Sequence, residues 1–278
     1  MGLPTAAPGF GRSRQKRPII KMSNLKKMRK HLPFDGEGTI LLGYRGSLSH
    51  GTYIPKKTDD IDLIGITVPP IEYVFGLKRF EQKEVIEGEI DLVVYEIRKY
   101  INLLLKNNPN VLSLLWLDER HYLFRHELGA RLIEARDIFI SKACYKTFGG
   151  YAAAQIRKMN KQEYRGYMGA ERKRMVDEIG YDVKNAAHAL RLLKMGIEIL
   201  TTGEVTVMRP DAQTYIAIKS GEWPLEKVKE EAERLNGLLD EAYVRSSLPK
   251  KPDFHKAEAL CVGILSDYYG LTERPVKQ

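Results

Sequence analysis

Between residues 39 and 106 apolar side chains come in short runs broken by glycine, proline or charge, whereas beyond about residue 110 they recur every three or four positions. The two periods predict strands first and helices afterwards. Thr39 to Tyr44 (TILLGY), between Gly38 and Gly46, reads as a buried strand. Asp60 to Val68 (DIDLIGITV) alternates and stops at Pro69-Pro70, giving a second strand, and Val85 to Tyr95 (VIEGEIDLVVY) gives a third. Glu96 to Lys106 changes to helical spacing, with Ile97, Ile101, Leu104 and Leu105 on one face, and Asn107-Asn108-Pro109 ends it. Helical patterns follow at 111–117, 125–135, 143–159, 182–200, 225–242 and 254–269, with a small strand expected at 204–207. No internal repeat interrupts them.

The expected fold class is therefore α+β: a small mixed sheet with flanking helices, followed by a helical C-terminal half. The boundaries are a basic flexible arm at 1–34, a sheet-bearing domain at 35–120 and a helical domain at 121–278. With 278 residues, 43% of them hydrophobic, the chain can bury a substantial core, which excludes a disordered or collagen-like molecule.

Charge separates along the same lines. The formal charge is +9, but the first 34 residues hold nine Lys and Arg and no acid. Beyond them 36 basic residues balance 36 acidic ones, so the basic excess that suits a polyanionic partner sits on the arm. No apolar run reaches the 18 residues of a membrane span, and the arm lacks the apolar core of a secretory signal. Cys144 and Cys261, far apart in apolar helical runs, read as reduced core thiols of a cytoplasmic protein.

The stretch that carries chemistry runs from Gly43 to Asp91. Residues two apart on a strand share a face, so Asp60 and Asp62 project together, while Ile61 and Leu63 point into the core. Paired carboxylates repel unless a cation sits between them, and Mg²⁺ favours carboxylates combined with substrate phosphate oxygens. Asp91, at the head of the next apolar run, is placed to complete a three-carboxylate cluster. Gly46-Ser47, directly after the first strand, opens a turn whose backbone N–H groups and hydroxyl suit a phosphate. Together these features fit attack on the α-phosphorus of a nucleoside triphosphate.

The order Gly46-Ser47-x-x-x-Gly51, Asp60-x-Asp62, then Asp91 within a hydrophobic strand resembles the signature of the DNA polymerase beta-type nucleotidyltransferase superfamily. The segments EIDLVVYEIRKYINLLLKNNPNVLSLLWL, AAHALRLLKMGIEILTTGEV and RPDAQTYIAIKSGEW are similar to the RNA repair pathway DNA polymerase beta family of bacteria and phages. The resemblance covers about residues 41–239, without the arm. It implies that Asp60, Asp62 and Asp91 bind Mg²⁺ or Mn²⁺, that Asp91 also orients or deprotonates the acceptor hydroxyl, and that Gly46 and Ser47 hold the β- and γ-phosphates.

A pyrophosphate leaving group wants cations. Lys184, His188 and Arg191 fall on one face of the helix expected at 182–200, opposite Ala186, Ala189, Leu190 and Leu193; the stripe is either a nucleotide contact or a solvated basic face. Arg45, beside the glycine turn, is either a further phosphate contact or a side chain that points away from it. Arg157, Lys158, Lys161 and Arg165, interleaved with tyrosines, suit a single-stranded RNA or serve as a charged loop. His121 and His126, among charged neighbours, read as surface. The expected function is transfer of a nucleoside monophosphate from an NTP to a hydroxyl on RNA. The alternatives are nucleotidylation of a protein or small molecule, or a non-catalytic nucleic-acid-binding module of the same fold.

Overall fold

The structure is a computed structural model that describes residues 28–55, 61–160 and 170–271. Its centre is a five-stranded mixed sheet of β1 (Thr39–Tyr44), β2 (Ile61–Thr67), β3 (Gln82–Glu87), β4 (Ile90–Glu96) and β5 (Tyr122–Arg125), in the order β3-β4-β2-β1-β5. β2 and β4 run parallel, and every other neighbouring pair is antiparallel. The single strand expected over 85–95 is instead a hairpin. Gly88, at φ +60°, turns the chain in the middle of the stretch read as one strand. β5 takes Arg125, the first residue of the helix expected at 125–135, and the helix begins two residues after it.

Both faces of the sheet are covered. Ile64, Ile66 and Val93 join the main core with the helices, while Leu63, Leu92 and Val94 pack against Met28 and Leu32 in a smaller core. Ile61 packs against that smaller core as well. The one-sided strand inferred from Asp60–Val68 is therefore buried on two sides, and Asp62 shares its face with the main core. Met28 and Leu32 fall within the stretch read as an arm, and short 3₁₀ turns at Arg29–His31 and Pro33–Gly36 carry them onto the sheet.

The helices begin with α1 (Gly46–Ser49), α2 (Ile97–Leu104), α3 (Pro109–Leu112), α4 (Glu127–Glu134), α5 (Cys144–Asn160) and α6 (Ala170–Ile179). They continue with α7 (Val183–Thr202), α8 (Ala212–Lys219), α9 (Leu225–Arg245) and α10 (Phe254–Tyr269). α7 is the axis of the helical half and packs against α5, α8 and α9. Its N-terminus is firmly capped. Asp182, 1% exposed, accepts from the backbone N–H groups of Lys184 and Asn185 and takes a two-pronged contact from Arg172 (3.2 and 2.6 Å). Residues 204–207 lie in no strand. Cys144 is buried and Cys261 half-buried; burial pushes their thiols up to about 12 and about 11. Among the described residues no helix is long and apolar enough to cross a membrane.

Candidate active site

Asp62 and Asp91 are partners in the register of the parallel strands β2 and β4. Adjacent strands lie about 4.8 Å apart, so two carboxylates occupy neighbouring positions on the same face at the start of both strands. Arg45 Nη2 donates to Asp91 Oδ1 at 2.8 Å, and its Nε is buried with no hydrogen-bond partner among the described residues. The backbone N–H of Arg45 donates to the Asp62 carbonyl at 2.9 Å, which joins the turn after β1 to the head of β2. Gly46 follows at φ +66°. A Cβ there would stand 2.1 Å from Asp62 Oδ2, so only glycine lets the backbone lie against this carboxylate.

The helical half closes over this turn through named bonds. His50 Nδ1 donates to the Val207 carbonyl (2.9 Å), Arg209 N–H to the His50 carbonyl (3.2 Å), and Lys219 Nζ to both oxygens of Thr52 (3.0 Å each). Because a carbonyl only accepts, His50 carries its proton on Nδ1; burial, then the charge of Arg191, holds its pKa well below the usual range. A cavity of about 230 Å³ results, with Gly46, Ser47 and Asp62 on one wall and Lys184, His188, Arg191 and Lys219 on the other. A second, of about 290 Å³, opens beside it toward Arg45, Asp91 and α3.

The cationic wall differs from the stripe expected. Lys184 is exposed, and Arg191 and Lys219 are half-buried; among the described residues none of the three has a carboxylate partner within 4 Å. Arg191 donates to Met195 Sδ. His188 is neutral. Burial first, then Arg191, Lys219 and Lys158, lowers it to about 3, so it offers a hydrogen bond and no charge. Burial also lowers Arg191 to about 10 and, with Arg191 and Lys184 nearby, brings Lys219 to about 8.

Asp60 lies outside the described residues, as do Lys161 and Arg165. Arg157 and Lys158 are exposed at the end of α5, and the Lys158 charge reaches His188, so this helix end stands beside the cavity. Arg172 and Arg174, in the same basic stretch, are paired instead with Asp182 and Glu178. His126 is exposed and caps α4, whereas His121, expected at the surface, is buried edge-on against Tyr44 (6.3 Å). Sequence reasoning passed over His50, Thr52, Tyr215 and Lys219. The signal for two of them was the segment RPDAQTYIAIKSGEW, where Tyr215 and Lys219 are four residues apart and both line the cavity.

The residues present fit a divalent cation in one respect: two carboxylates face each other in register beside a turn and cations that, among the described residues, have no carboxylate partner and suit a polyphosphate. Among the described residues no group of three His, Cys, Asp or Glu stands close enough to hold a metal ion, so a full set would draw on Asp60.

No curated protein matches the chain. Among solved structures, a nucleotidyltransferase-like protein from Exiguobacterium sibiricum 255-15 matches at 14% identity and a TM-score of 0.27, over 87% of this chain and 76% of that one. The family match is broader than the resemblance drawn from the motifs, reaching back into the basic N-terminal stretch and forward into α10. Because residues 19–262, which include the carboxylate pair and every cation facing it, match the RNA repair pathway DNA polymerase beta family, the chain belongs to that family.

Proposed function

We propose that this protein transfers a nucleoside monophosphate from an NTP to a hydroxyl of RNA and releases pyrophosphate. The observation that carries the reading is the opposition of Asp62 to Lys184, Arg191 and Lys219, which among the described residues have no carboxylate partner, across one small cavity, with Asp91 beside it in the adjoining one. A site that gathers cations against carboxylates and leaves room between them suits a ligand bearing phosphate.

The Gly46 backbone and the Ser47 hydroxyl bind the β- and γ-phosphates, while Lys184, Arg191 and Lys219 offset the charge that gathers on the departing pyrophosphate. His188, neutral, adds a hydrogen bond. Asp62 and Asp91, with Asp60, are the residues that would hold Mg²⁺ or Mn²⁺, which supplies charge neutralisation at the reacting phosphate. Arg45 fixes Asp91 Oδ1, so Oδ2 is left to orient the acceptor hydroxyl and receive its proton. The acceptor oxygen bonds to the α-phosphorus as the bond to the bridging oxygen of pyrophosphate breaks.

RNA as acceptor is supported by the family and by the exposed Arg157 and Lys158 beside the cavity. The test is incubation of the full chain with α-labelled NTPs, Mg²⁺ or Mn²⁺ and single-stranded RNA. Label in RNA, with matching pyrophosphate, is the expected result and should vanish in Asp62→Asn. Label found only in protein would point to the alternative acceptor, and no pyrophosphate from any NTP would refute the transfer reading.

A further inference from the structure

The two cavities share Gly46, His50, Asp62, His188 and Arg191, but their remaining linings differ in kind. The first adds Lys184 and Lys219, charges that lack carboxylate partners among the described residues. The second adds Arg45, already paired with Asp91, and then the neutral side chains of Ser49, Asn110 and Ser113 over Pro109 and Leu192. The first lobe carries the excess of cations that a polyanion needs; the second holds both carboxylates, one of them paired with Arg45, beside neutral polar groups with an apolar flank.

In-line displacement puts the attacking oxygen and the leaving group on opposite sides of the phosphorus. If pyrophosphate departs among the cations of the first lobe, the hydroxyl enters from the second, where Asp91 stands. This step rests on the transfer reading above. We propose that the second lobe is the acceptor subsite, and that it takes the 3′-terminal ribose of an RNA strand through hydrogen bonds from Asn110 and Ser113.

The run Asn107-Asn108-Pro109-Asn110 explains why one asparagine is available. Asn107, at φ +51° and fully buried, gives its amide N–H groups to the Leu104 and Phe139 carbonyls and accepts from Ser141 Oγ. Asn108 caps α3 by accepting from the Asn110 backbone N–H at 2.9 Å and donates to the Tyr151 hydroxyl at 3.2 Å. Pro109 fixes the first helical position. The Asn110 side chain has no hydrogen bond to another described residue, is exposed, and lines the lobe. One turn on, Ser113 is 9% exposed and lines it too. An amide and a hydroxyl have the donors and acceptors that a vicinal diol requires. A volume of about 290 Å³ stands at the low end of small-ligand cavities, so it fits one terminal nucleoside unit better than a folded protein loop.

The test measures binding of short single-stranded RNAs to the full chain by fluorescence anisotropy, with a 2′,3′-diol end or a 2′,3′-dideoxy end, alongside NTP affinity in the same preparations. Wild type is expected to bind the diol end about tenfold more tightly, the worth of roughly 1.4 kcal/mol. Asn110→Ala should erase that preference and Ser113→Ala reduce it, with NTP affinity within about twofold of wild type. Equal affinity of wild type for both ends would overturn the assignment. So would a loss of NTP affinity in Asn110→Ala with RNA binding unmoved, which would place the donor nucleoside in this lobe. Pyrophosphate release by wild type is scored separately: its absence counts against the transfer reading, whereas the diol preference reads the lobe alone.

Discussion

Asp62 and Asp91 stand opposite each other in the register of two parallel strands, and the Arg45 guanidinium is bound to the carboxylate of the second. Like charges facing across a sheet are destabilising by a few tenths of a kcal/mol to about 1 kcal/mol, a cost that a fold without use for them has no reason to carry. Asp62→Asn is expected to lower pyrophosphate release at least about a hundredfold, the equivalent of some 3 kcal/mol in the barrier. Mn²⁺ affinity, read by electron paramagnetic resonance, should fall in parallel. A variant that loses activity together with its fold would take the Asp62 carboxylate out of the chemistry.

Gly46 faces that carboxylate with no room to spare. In Gly46→Ala the new methyl must displace Asp62 Oδ2, and a non-glycine residue at positive φ adds about 1 kcal/mol of backbone strain. Turnover should drop by an order of magnitude or more while the melting temperature falls by only a few degrees. Gly88→Ala is the control. It has a similar φ of +60° but nothing within 4 Å of its would-be Cβ, so it should cost stability without touching turnover.

The same residues show what a sequence can and cannot convey. The spacing of Asp62, Asp91 and Gly46 against apolar runs was legible because strand period and turn chemistry are local. The cationic stripe was legible as a face of α7, since Lys184, His188 and Arg191 lie within two turns. That His188 is uncharged was not legible, because its neutrality comes from burial beneath elements distant in sequence. Lys219 was missed for the same reason: its partner Thr52 is 167 residues away. The hairpin at Gly88 hid inside a stretch whose two apolar runs, 85–86 and 92–95, read as one strand, and β5 is a four-residue edge strand whose Arg125 and neighbouring histidines gave no apolar pattern to follow. Residues 204–207 look like a strand by composition, but among the described residues no strand pairs with them.

Arg172 belongs to a sequence cluster that suits RNA, yet its guanidinium is bound to the buried Asp182 at the head of the helix that carries Lys184, His188 and Arg191. Removing it leaves a buried carboxylate with weaker compensation. Arg172→Ala is expected to lower stability by about 2 kcal/mol, and the melting temperature by roughly 5 °C. A double-mutant cycle with Asp182→Ala should show coupling. The RNA affinity of Arg172→Ala, taken well below its melting temperature, should stay within about twofold of wild type, whereas Arg157→Ala should weaken RNA binding and lower its salt slope by about one. A larger effect of Arg172 than of Arg157 on RNA affinity would reverse the assignment of the two arginines.

Lys219 makes the site sensitive to mildly alkaline pH. Burial, with Arg191 and Lys184 close by, brings its pKa to about 8, against 10.5 for an ordinary lysine. Below pH 8 it is charged in both the free and the triphosphate-bound protein, so NTP affinity should be flat. Bound phosphate favours the charged form, hence above pH 8 binding must take up a proton, and log Kd should climb toward one unit per pH unit. Lys219→Arg keeps its charge throughout this range and should abolish the bend. Stability moves in the opposite sense. The folded pKa is below the unfolded one, so the unfolded chain binds more protons between pH 8 and 10.5, and this residue's contribution improves as pH rises through that window. At pH 7 its buried charge is a net cost to the free protein. Lys219→Met should therefore raise the melting temperature of the free protein at pH 7 while weakening NTP binding about tenfold. Calorimetry with and without NTP measures both effects on one sample; a melting temperature that falls in both conditions would show that Lys219 serves the fold through Thr52 rather than the nucleotide.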